Sequence, residues 1–508
     1  MGAAGKEKET KLGIEAKKEE DFSSWYTQVL LRAEMMDYYD VSGCYILRPW
    51  SFGIWKHIQN FLTSEFEAMG VEEAYFPLFI AQSALQKEKD HVEGFAPEVA
   101  WVTRSGTSDL PEPIAVRPTS ETVMYPAYAK WIQSHRDLPL KMNQWCNVVR
   151  WEFKHPQPFL RSREFLWQEG HTCFNTKSEA DQEVLQVLEL YRRSYEELLA
   201  VPVIKGMKSG KEKFAGALYT TTVEGFIPAV GRGIQGATSH CLGQNFSRMF
   251  KIAVEGKDGE PEYAWQNSWG YTTRSIGVMV MTHSDNAGLV LPPRVASVQV
   301  VIVPVGITAK TSAEDEARIY DKCDDLVAIL TAAGIRARAD VRANYTPGWK
   351  FNHWELKGVP VRYEIGPKEL AANQTRAGIR FSGEKRFLSL DDVVGTTKAL
   401  LEEIHLGMFV KAKAAFDAGI RRVDGWEDFT LALDAKCLVM APWCEEEACE
   451  DAIKERSAVK ESGLDARAPA MGAKSLCIPF EQPESCQGKS CVQCGASAKS
   501  FTLFGRSY

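Results

Sequence analysis

The chain has 508 residues, enough for two to four domains, and a net charge of −7. That acidic balance excludes a general nucleic-acid coat, although a protein acidic overall can still concentrate basic patches where phosphates touch. No apolar run reaches the ~18 residues that cross a bilayer, so no membrane segment is expected. Twelve cysteines, several gathered toward the C-terminus, suit reduced thiols and metal ligation better than a secreted disulfide framework.

Residues 1–20 are rich in Lys and Glu and lack the apolar stretch of a secretory signal. They read as a disordered charged tail or as a linker remnant from a larger polypeptide. FGIWKHIQNFLTSEFEAM (52–69) carries apolar residues at helical spacing and stops at Gly70. EEAYFPLF then reads as a strand whose Pro77 places it at an edge or interface. In RPTSET (117–122), Arg117-Pro118 favours extended backbone running into a turn. Thr119, Ser120 and Glu121 either cap the helix ETVMYPAYAKWI or form a polar site at its start.

VVRWEF (148–153) alternates as a strand does, KHPQP (154–158) is a turn, and FLRSREFLWQEG (159–170) resumes with strand-forming aromatics. The expected hairpin places Arg150 and Glu152 on one face, and Phe165, Trp167 and Glu169 on one face. A fork-shaped cation beside a carboxylate, an aromatic plate and a second arginine suits ATP. Arg150 can grip the α-phosphate bidentately, Glu152 can accept from the adenine amino group, Phe165 can stack on the ring, and Arg161 can hold the outer phosphates. A salt-bridged surface hairpin is the alternative on residue types alone.

Gly231, Gly233 and Gly236, with Glu255 some twenty residues on, match a dinucleotide fingerprint, but the preceding segment is short and proline-broken. The better reading is a flexible backbone from which Gln235 and Thr238 reach a nucleotide. No Walker-type loop occurs, so arginines must hold the phosphates. SWGYTTRSIGVMVM (268–281) predicts a strand or turn feeding a helix, with Arg274 at the junction. LPPR (291–294) marks a domain boundary, after which strands and helices alternate to about residue 405 and predict a small α/β domain with a largely parallel sheet. In the last hundred residues, Cys444 and Cys449 with Cys491 and Cys494 form two pairs that could close a tetrahedral zinc site. Free buried thiols are the alternative, and Cys437, Cys477 and Cys486 lie nearby. Four thiolates leave no open position, so such a metal is structural.

R-x-E followed by R-x-x-x-F-x-x-x-E resembles motif 2 of the class II aminoacyl-tRNA synthetases. RPTSET, FLWQEGHT (165–172), GIQGATSHCLGQNF (233–246), NSWGYTTRSIGVMVM (267–281) and the terminal FGRSY are similar to the prolyl-tRNA synthetases of the eukaryotic and archaeal kind. The resemblance runs from about residue 21 to the end. It implies a class II α+β catalytic domain with an antiparallel sheet (21–290), an α/β anticodon-binding domain (291–405) and a small C-terminal zinc-binding α+β domain (406–508).

It also implies a cytoplasmic homodimer, paired through the 52–69 helix and its following strand as motif 1. The implied reaction is proline–tRNA ligation: activation of L-proline by ATP with Mg²⁺ to prolyl-adenylate, then transfer to tRNA(Pro). In that role Arg150 and Arg274 are catalytic. ATP is held by Arg150, Glu152, Arg161, Phe165, Gln235, Thr238 and Arg274. Proline is held by Thr119, Glu121, Arg150, Trp167, Glu169, His171, His240, Ser268 and Gly270. The terminal carboxylate of Tyr508 is implied to fold back toward this site. The EIGPKEL turn (364–370) and Arg376 could contact anticodon bases, or form a solvated charged face. Only about 100 residues separate Glu169 from Arg274, which leaves no room for a large editing insertion between them. A non-catalytic, synthetase-like tRNA-binding or regulatory protein is the competing reading, and loss of the motif arginines would mark it.

Overall fold

The computed structural model describes residues 13–91, 98–152, 155–256, 259–459 and 471–508. It divides into two compact units, one made of residues up to 37, 46–54 and 280–408, the other of residues 38–45, 55–279 and 409–508. No helix among the described residues is long and apolar enough to cross a membrane.

The larger unit is built on a sheet of eleven strands among the described residues. Toward one edge of it, strand Glu164–Phe174 lies between Leu140–Val149 and Trp265–Thr272, antiparallel to both, with Glu169 opposite Gln144 on one side and Gly270 on the other. Gly170 is required here, because a Cβ at that position would lie 2.2 Å from the buried Trp269 ring. The hairpin is shorter than the alternation predicts. Its first strand ends at Val149 and the second resumes only at Glu164. Arg150 and Glu152 therefore belong to the connecting loop, where the Arg150 N–H still donates to the Arg163 carbonyl at 2.7 Å. Residues 153 and 154 of the expected turn lie outside the described residues.

The helix expected over 52–69 runs Pro49–Ala68 and is followed by Gly70 at φ 73°. Of EEAYFPLF only Glu72–Glu73 is a strand, and the chain pairs again over Phe79–Ala81. Pro77 has no N–H to donate, and the Phe76 N–H turns to the Gln144 side chain at 3.1 Å rather than to a strand neighbour. The glycine-rich run also differs from expectation. Arg232–Gly243 is a regular strand, antiparallel to Tyr219–Ile227 and Trp265–Thr272, which excludes a βαβ dinucleotide unit. Its glycines admit neighbours instead of flexing: a Cβ at Gly233 would stand 2.5 Å from Leu476, and one at Gly236 would stand 2.9 Å from the Tyr195 ring.

The C-terminal segment, expected as a third unit, extends this same sheet. Lys474–Pro479 pairs with Ile204–Met207, and Ser500–Ser507 pairs in parallel with Arg232–Gly243 through Arg232/Arg506 and Gly233/Ser507. A buried ion pair fixes the junction: the Lys208 ammonium donates to Glu224 at 2.7 Å and to the Leu476 carbonyl at 2.8 Å. With side chains only 4% and 1% exposed, either charge alone would be stranded out of water, a loss of ~3–5 kcal/mol.

In the smaller unit Val300–Pro304 lies between Ala337–Ala339 and Val361–Ile365, all parallel. Gln374–Ile379 and Lys385–Ser389 then continue antiparallel, so the sheet is mixed rather than largely parallel. The cause is chain length. Too few residues join Ile365 to Gln374 for a crossover, which takes a dozen or more, so the strand must reverse. Residues 13–20, read from sequence as part of the charged tail, pack in this unit: the Lys18 N–H donates to Asn286 Oδ1 and its ammonium to the Ser284 carbonyl, both at 2.8 Å. Residues 1–12 of that tail lie outside the described residues.

Candidate active site

The larger unit encloses a cavity of about 330 Å³ on one face of the sheet. Strand periodicity brings side chains to it: Phe165, Trp167, Glu169 and His171 alternate along one strand, Thr238 and His240 along a second, and Ser268 and Gly270 along a third. Gln235 reaches the same face out of phase because Gly236 is an extra residue: Val223 pairs with Ala237 but Glu224 with Gln235. Thr119 and Glu121 line the cavity from the start of helix Glu121–Trp131, Arg150 and Glu152 from the hairpin loop, and Arg274 from the first position of helix Arg274–His283. Arg161 is the one expected cavity residue that does not line it. It stands near Arg232 and Tyr508, and burial together with the Arg232 charge lowers its pKa.

The polar floor centres on Glu169, which is 1% exposed. Its carboxylate accepts from the Ser120 hydroxyl, from the Ser120 N–H at 3.1 Å and from the Gln144 amide at 2.7 Å, and it contacts His171 Nε2 at 3.0 Å. Burial alone would push this carboxyl up. The donors from His171, Ser120 and Gln144 outweigh burial and hold it below its usual value. In the same way burial disfavours protonation of His171, but Glu169 and the nearby Glu121 charge raise its pKa above the usual imidazole value. His171 Nδ1 is held by the Tyr125 hydroxyl at 2.9 Å. Ser120 makes no cap bond to the helix it precedes, so the Ser-Glu sequence serves the cavity floor rather than the helix end. Beside it the Thr119 hydroxyl donates to Glu121 at 2.5 Å.

His240 contrasts with His171. Burial, then the charges of His171 and Arg150, drive its pKa down to about 3, so it is a neutral ring. It lies between the hydroxyls of Thr220 (2.8 Å) and Thr238 (3.0 Å) and against Phe214, with ring centroids 4.8 Å apart. Arg150 is aimed by its Nε donating to the Pro118 carbonyl at 2.9 Å, with its guanidinium 5.6 Å from the Phe165 ring and 5.3 Å from the Trp167 ring. Arg274 donates to the carbonyls of Leu160 (3.1 Å) and Gln235 (3.2 Å), which solvate its charge without neutralising it. Burial lowers its pKa. The wall near Arg150 and Arg274 is thus suited to an anion, and the floor near Glu121 and Glu169 to a cation.

Gln144, Tyr125, Thr220 and Phe214 escaped the sequence reading. Gln144 had one usable signal: once the hairpin is registered it stands directly opposite Glu169. Phe214 and Thr220 had none, since a loop and a distant strand deliver them.

Elsewhere in this unit the thiols of Cys444, Cys449, Cys491 and Cys494 lie within 4.8 Å of one another. The Cys449–Cys491 and Cys444–Cys494 sulfurs are 3.6 and 3.7 Å apart. A tetrahedral Zn²⁺ with bonds of ~2.3 Å needs sulfur separations of about 3.8 Å, so the set fits that ion. Cys437, Cys477 and Cys486 stand outside the cluster.

The Glu169–His171 pair carries a pH signature. The contribution of Glu169, whose pKa is lowered from 4.5, is present above that value and fades as pH falls through the depressed one; that of His171, raised from 6.5, is complete below 6.5 and fades as pH rises through the raised one. The loss of stability in His171→Gln, read from urea unfolding, should therefore be largest between about pH 4.5 and 6.5 and shrink toward alkaline pH. An equal loss from pH 5 to 9 would contradict the charged pair.

Comparison with known proteins agrees with the geometry. The class II tRNA synthetase core domain (G, H, P, S and T) matches residues 103–283, an anticodon-binding domain matches 299–400, and the prolyl-tRNA synthetase C-terminal domain matches 426–508. The chain is 58% identical over 502 residues to the cytoplasmic proline–tRNA ligase of Arabidopsis thaliana, covering 99% of this chain and 92% of that one. It is 51% identical over 500 residues to the proline–tRNA ligase of Encephalitozoon cuniculi, covering 98% and 99%. It is also 58% identical over 508 residues to the bifunctional glutamate/proline–tRNA ligase of Mus musculus, of which it spans 34%. The chain belongs to the prolyl-tRNA synthetase family of class II aminoacyl-tRNA synthetases.

Proposed function

We propose that this chain is a proline–tRNA ligase that joins L-proline to ATP as prolyl-adenylate and passes the prolyl group to the 3′ end of tRNA(Pro). The observation that carries this reading is the single cavity in which a cationic wall and an anionic floor face each other. Activation is an in-line attack of a carboxylate on the α-phosphorus, so it needs positioning and charge neutralisation rather than a protein nucleophile.

Proline's secondary ammonium has two N–H donors, and Thr119 and Glu121 receive them. Glu169 and His171 hold that loop in place through Ser120. The ring sits against the neutral His240 and Trp167, with Ser268 and Gly270 lining the strand beside it. Gly270 keeps the wall close, since a Cβ there would already stand 3.2 Å from the Trp167 ring. Arg150, fixed by the Pro118 carbonyl, reaches the proline carboxylate and the α-phosphate together. Glu152 and Phe165 take the adenine, Gln235 and Thr238 the nucleotide, and Arg274 the outer phosphates. Arg161, outside the cavity, would reach the γ-phosphate only along the rim beside Arg232. Mg²⁺ accompanies ATP and supplies charge neutralisation on its phosphates. Zn²⁺ held by the four cysteines is structural, since four thiolates leave no open position.

The assembly is a homodimer in this reading. Tyr75 and Phe79, 76% and 49% exposed just after the Pro49–Ala68 helix, offer apolar surface to a second copy. A cytoplasmic location is supported by the name of the Arabidopsis relative.

ATP–pyrophosphate exchange across the amino acids tests the reaction. Exchange should be strongest with proline and measurable with alanine at high concentration, because missing methylenes are worth only ~1–3 kcal/mol. Arg150→Ala should lower proline-dependent exchange by about 100-fold or more with an unchanged unfolding midpoint, and parental exchange in that variant would overturn the mechanism. Metal analysis should return one zinc per chain and none in Cys491→Ser; a zinc-free folded parent would remove the metal from the account.

A further inference from the structure

The nucleotide end of the cavity is shaped by a residue that does not line it. Tyr195 is fully buried and stands outside the cavity wall. It belongs to a single π-turn, Ser194–Leu198, that ends helix Lys177–Arg193, and such wide turns recur beside functional sites. The turn closes with the Leu199 N–H donating to the Ser194 carbonyl at 3.1 Å, and the Tyr195 carbonyl accepts the Val201 N–H at 2.8 Å. The Ser194 hydroxyl donates to that of Tyr271 at 2.9 Å, and the Tyr195 ring packs against Tyr271 with centroids 5.5 Å apart. Main chain and ring are therefore both fixed.

The Tyr195 hydroxyl donates to the Gly236 carbonyl at 3.1 Å. Burial raises the phenol pKa well above its usual value, so the oxygen keeps the proton it donates. Gly236 is the extra residue of the bulge, in register with no residue of Tyr219–Ile227 or Trp265–Thr272. A residue that drops out of the ladder needs another donor for its buried carbonyl, and Tyr195 supplies one. The same contact sets which way the strand faces. A Cβ at Gly236 would stand 2.9 Å from the Tyr195 ring, and Ala237, in register with Tyr271, turns the same way. Two successive residues facing the helix leave Gln235 to face the cavity, where strict alternation with Thr238 and His240 would have turned it away.

The Gln235 carbonyl also accepts from Arg274 at 3.2 Å. Its main chain is thus clamped at its own carbonyl from inside the cavity and at the next carbonyl by Tyr195. We propose that Tyr195 is a positioning residue for ATP: its hydroxyl fixes the Gly236 carbonyl and so holds the Gln235 side chain toward the nucleotide. This rests on the ligase reading, in which Gln235 takes the nucleotide.

The test uses the full chain and proline-dependent ATP–pyrophosphate exchange. Tyr195→Phe keeps the ring and removes the donor. The KM for ATP should rise by about threefold to tenfold, the worth of one hydrogen bond, while the KM for proline stays within about twofold of the parent. In a Gln235→Ala background the same substitution should change the KM for ATP by less than about twofold, because the side chain it steers is gone. Ser194→Ala, which deletes the neighbouring buried hydroxyl and leaves the bond to Gly236 in place, should keep the parental KM for ATP. A rise below about threefold in Tyr195→Phe, an equal rise for proline, full additivity with Gln235→Ala, or the same rise in Ser194→Ala overturns the assignment and leaves Tyr195 a packing residue. A parent chain without exchange defeats the ligase reading instead; calorimetric binding of ATP with Mg²⁺ to the parent and to Tyr195→Phe then decides the positioning role alone, by the same fold-change in Kd.

Discussion

The arrangement of the cavity depends on one buried carboxylate. Glu169 sits in a strand flanked on both sides within the sheet of the larger unit, with almost no solvent, and an isolated charge there would be prohibitive. It is tolerated because donors arrive from three directions: the Thr119–Glu121 loop through Ser120, the neighbouring strand through Gln144, and its own strand through His171. Each donor is thereby fixed in turn. The loop that presents Thr119 and Glu121 cannot move without stranding the charge, so the floor of the cavity is built before any substrate arrives.

A second constraint comes from the end of the chain. The C-terminal residues do not form an appendage; they continue the catalytic sheet through Lys474–Pro479 and Ser500–Ser507, and Lys208 locks the junction. The Tyr508 N–H donates to the Gly233 carbonyl at 3.1 Å, and Arg232 lies 5.1 Å over its ring. Gly233 is two residues from Gln235 on the same strand. The four-cysteine cluster contributes Cys491 and Cys494 just before the strand that ends at Ser507. A metal there would tie down the segment that leads to Tyr508, beside Arg232 and Gly233.

Much of this was legible in the sequence, and the limits are physical. Period-two spacing placed Phe165, Trp167 and Glu169 on one face, and the strand confirms that geometry. The same argument failed for Arg150 and Glu152, because the strand stops at Val149 and a loop carries them to the cavity. Spacing also misread the glycine run, where close packing against Leu476 and Tyr195, not flexibility, demands glycine. The Gly236 bulge that turns Gln235 inward leaves no mark that periodicity can detect. The Ser120-Glu121 pair could be read either as a helix cap or as a polar site, since a cap and a buried carboxylate's donor use the same hydroxyl. The four cysteines were found by spacing alone, because a tetrahedral site needs only two close pairs brought together by the fold.

The most direct test of the account is steady-state exchange kinetics on Glu169→Gln, which keeps the shape of the side chain and removes its charge. If Glu169 positions the Thr119–Glu121 loop as the proposed seat of the proline ammonium, the KM for proline should rise by about tenfold while the KM for ATP stays within about twofold of the parent. Unchanged KM for proline in a folded variant, or equal increases for both substrates, would contradict it.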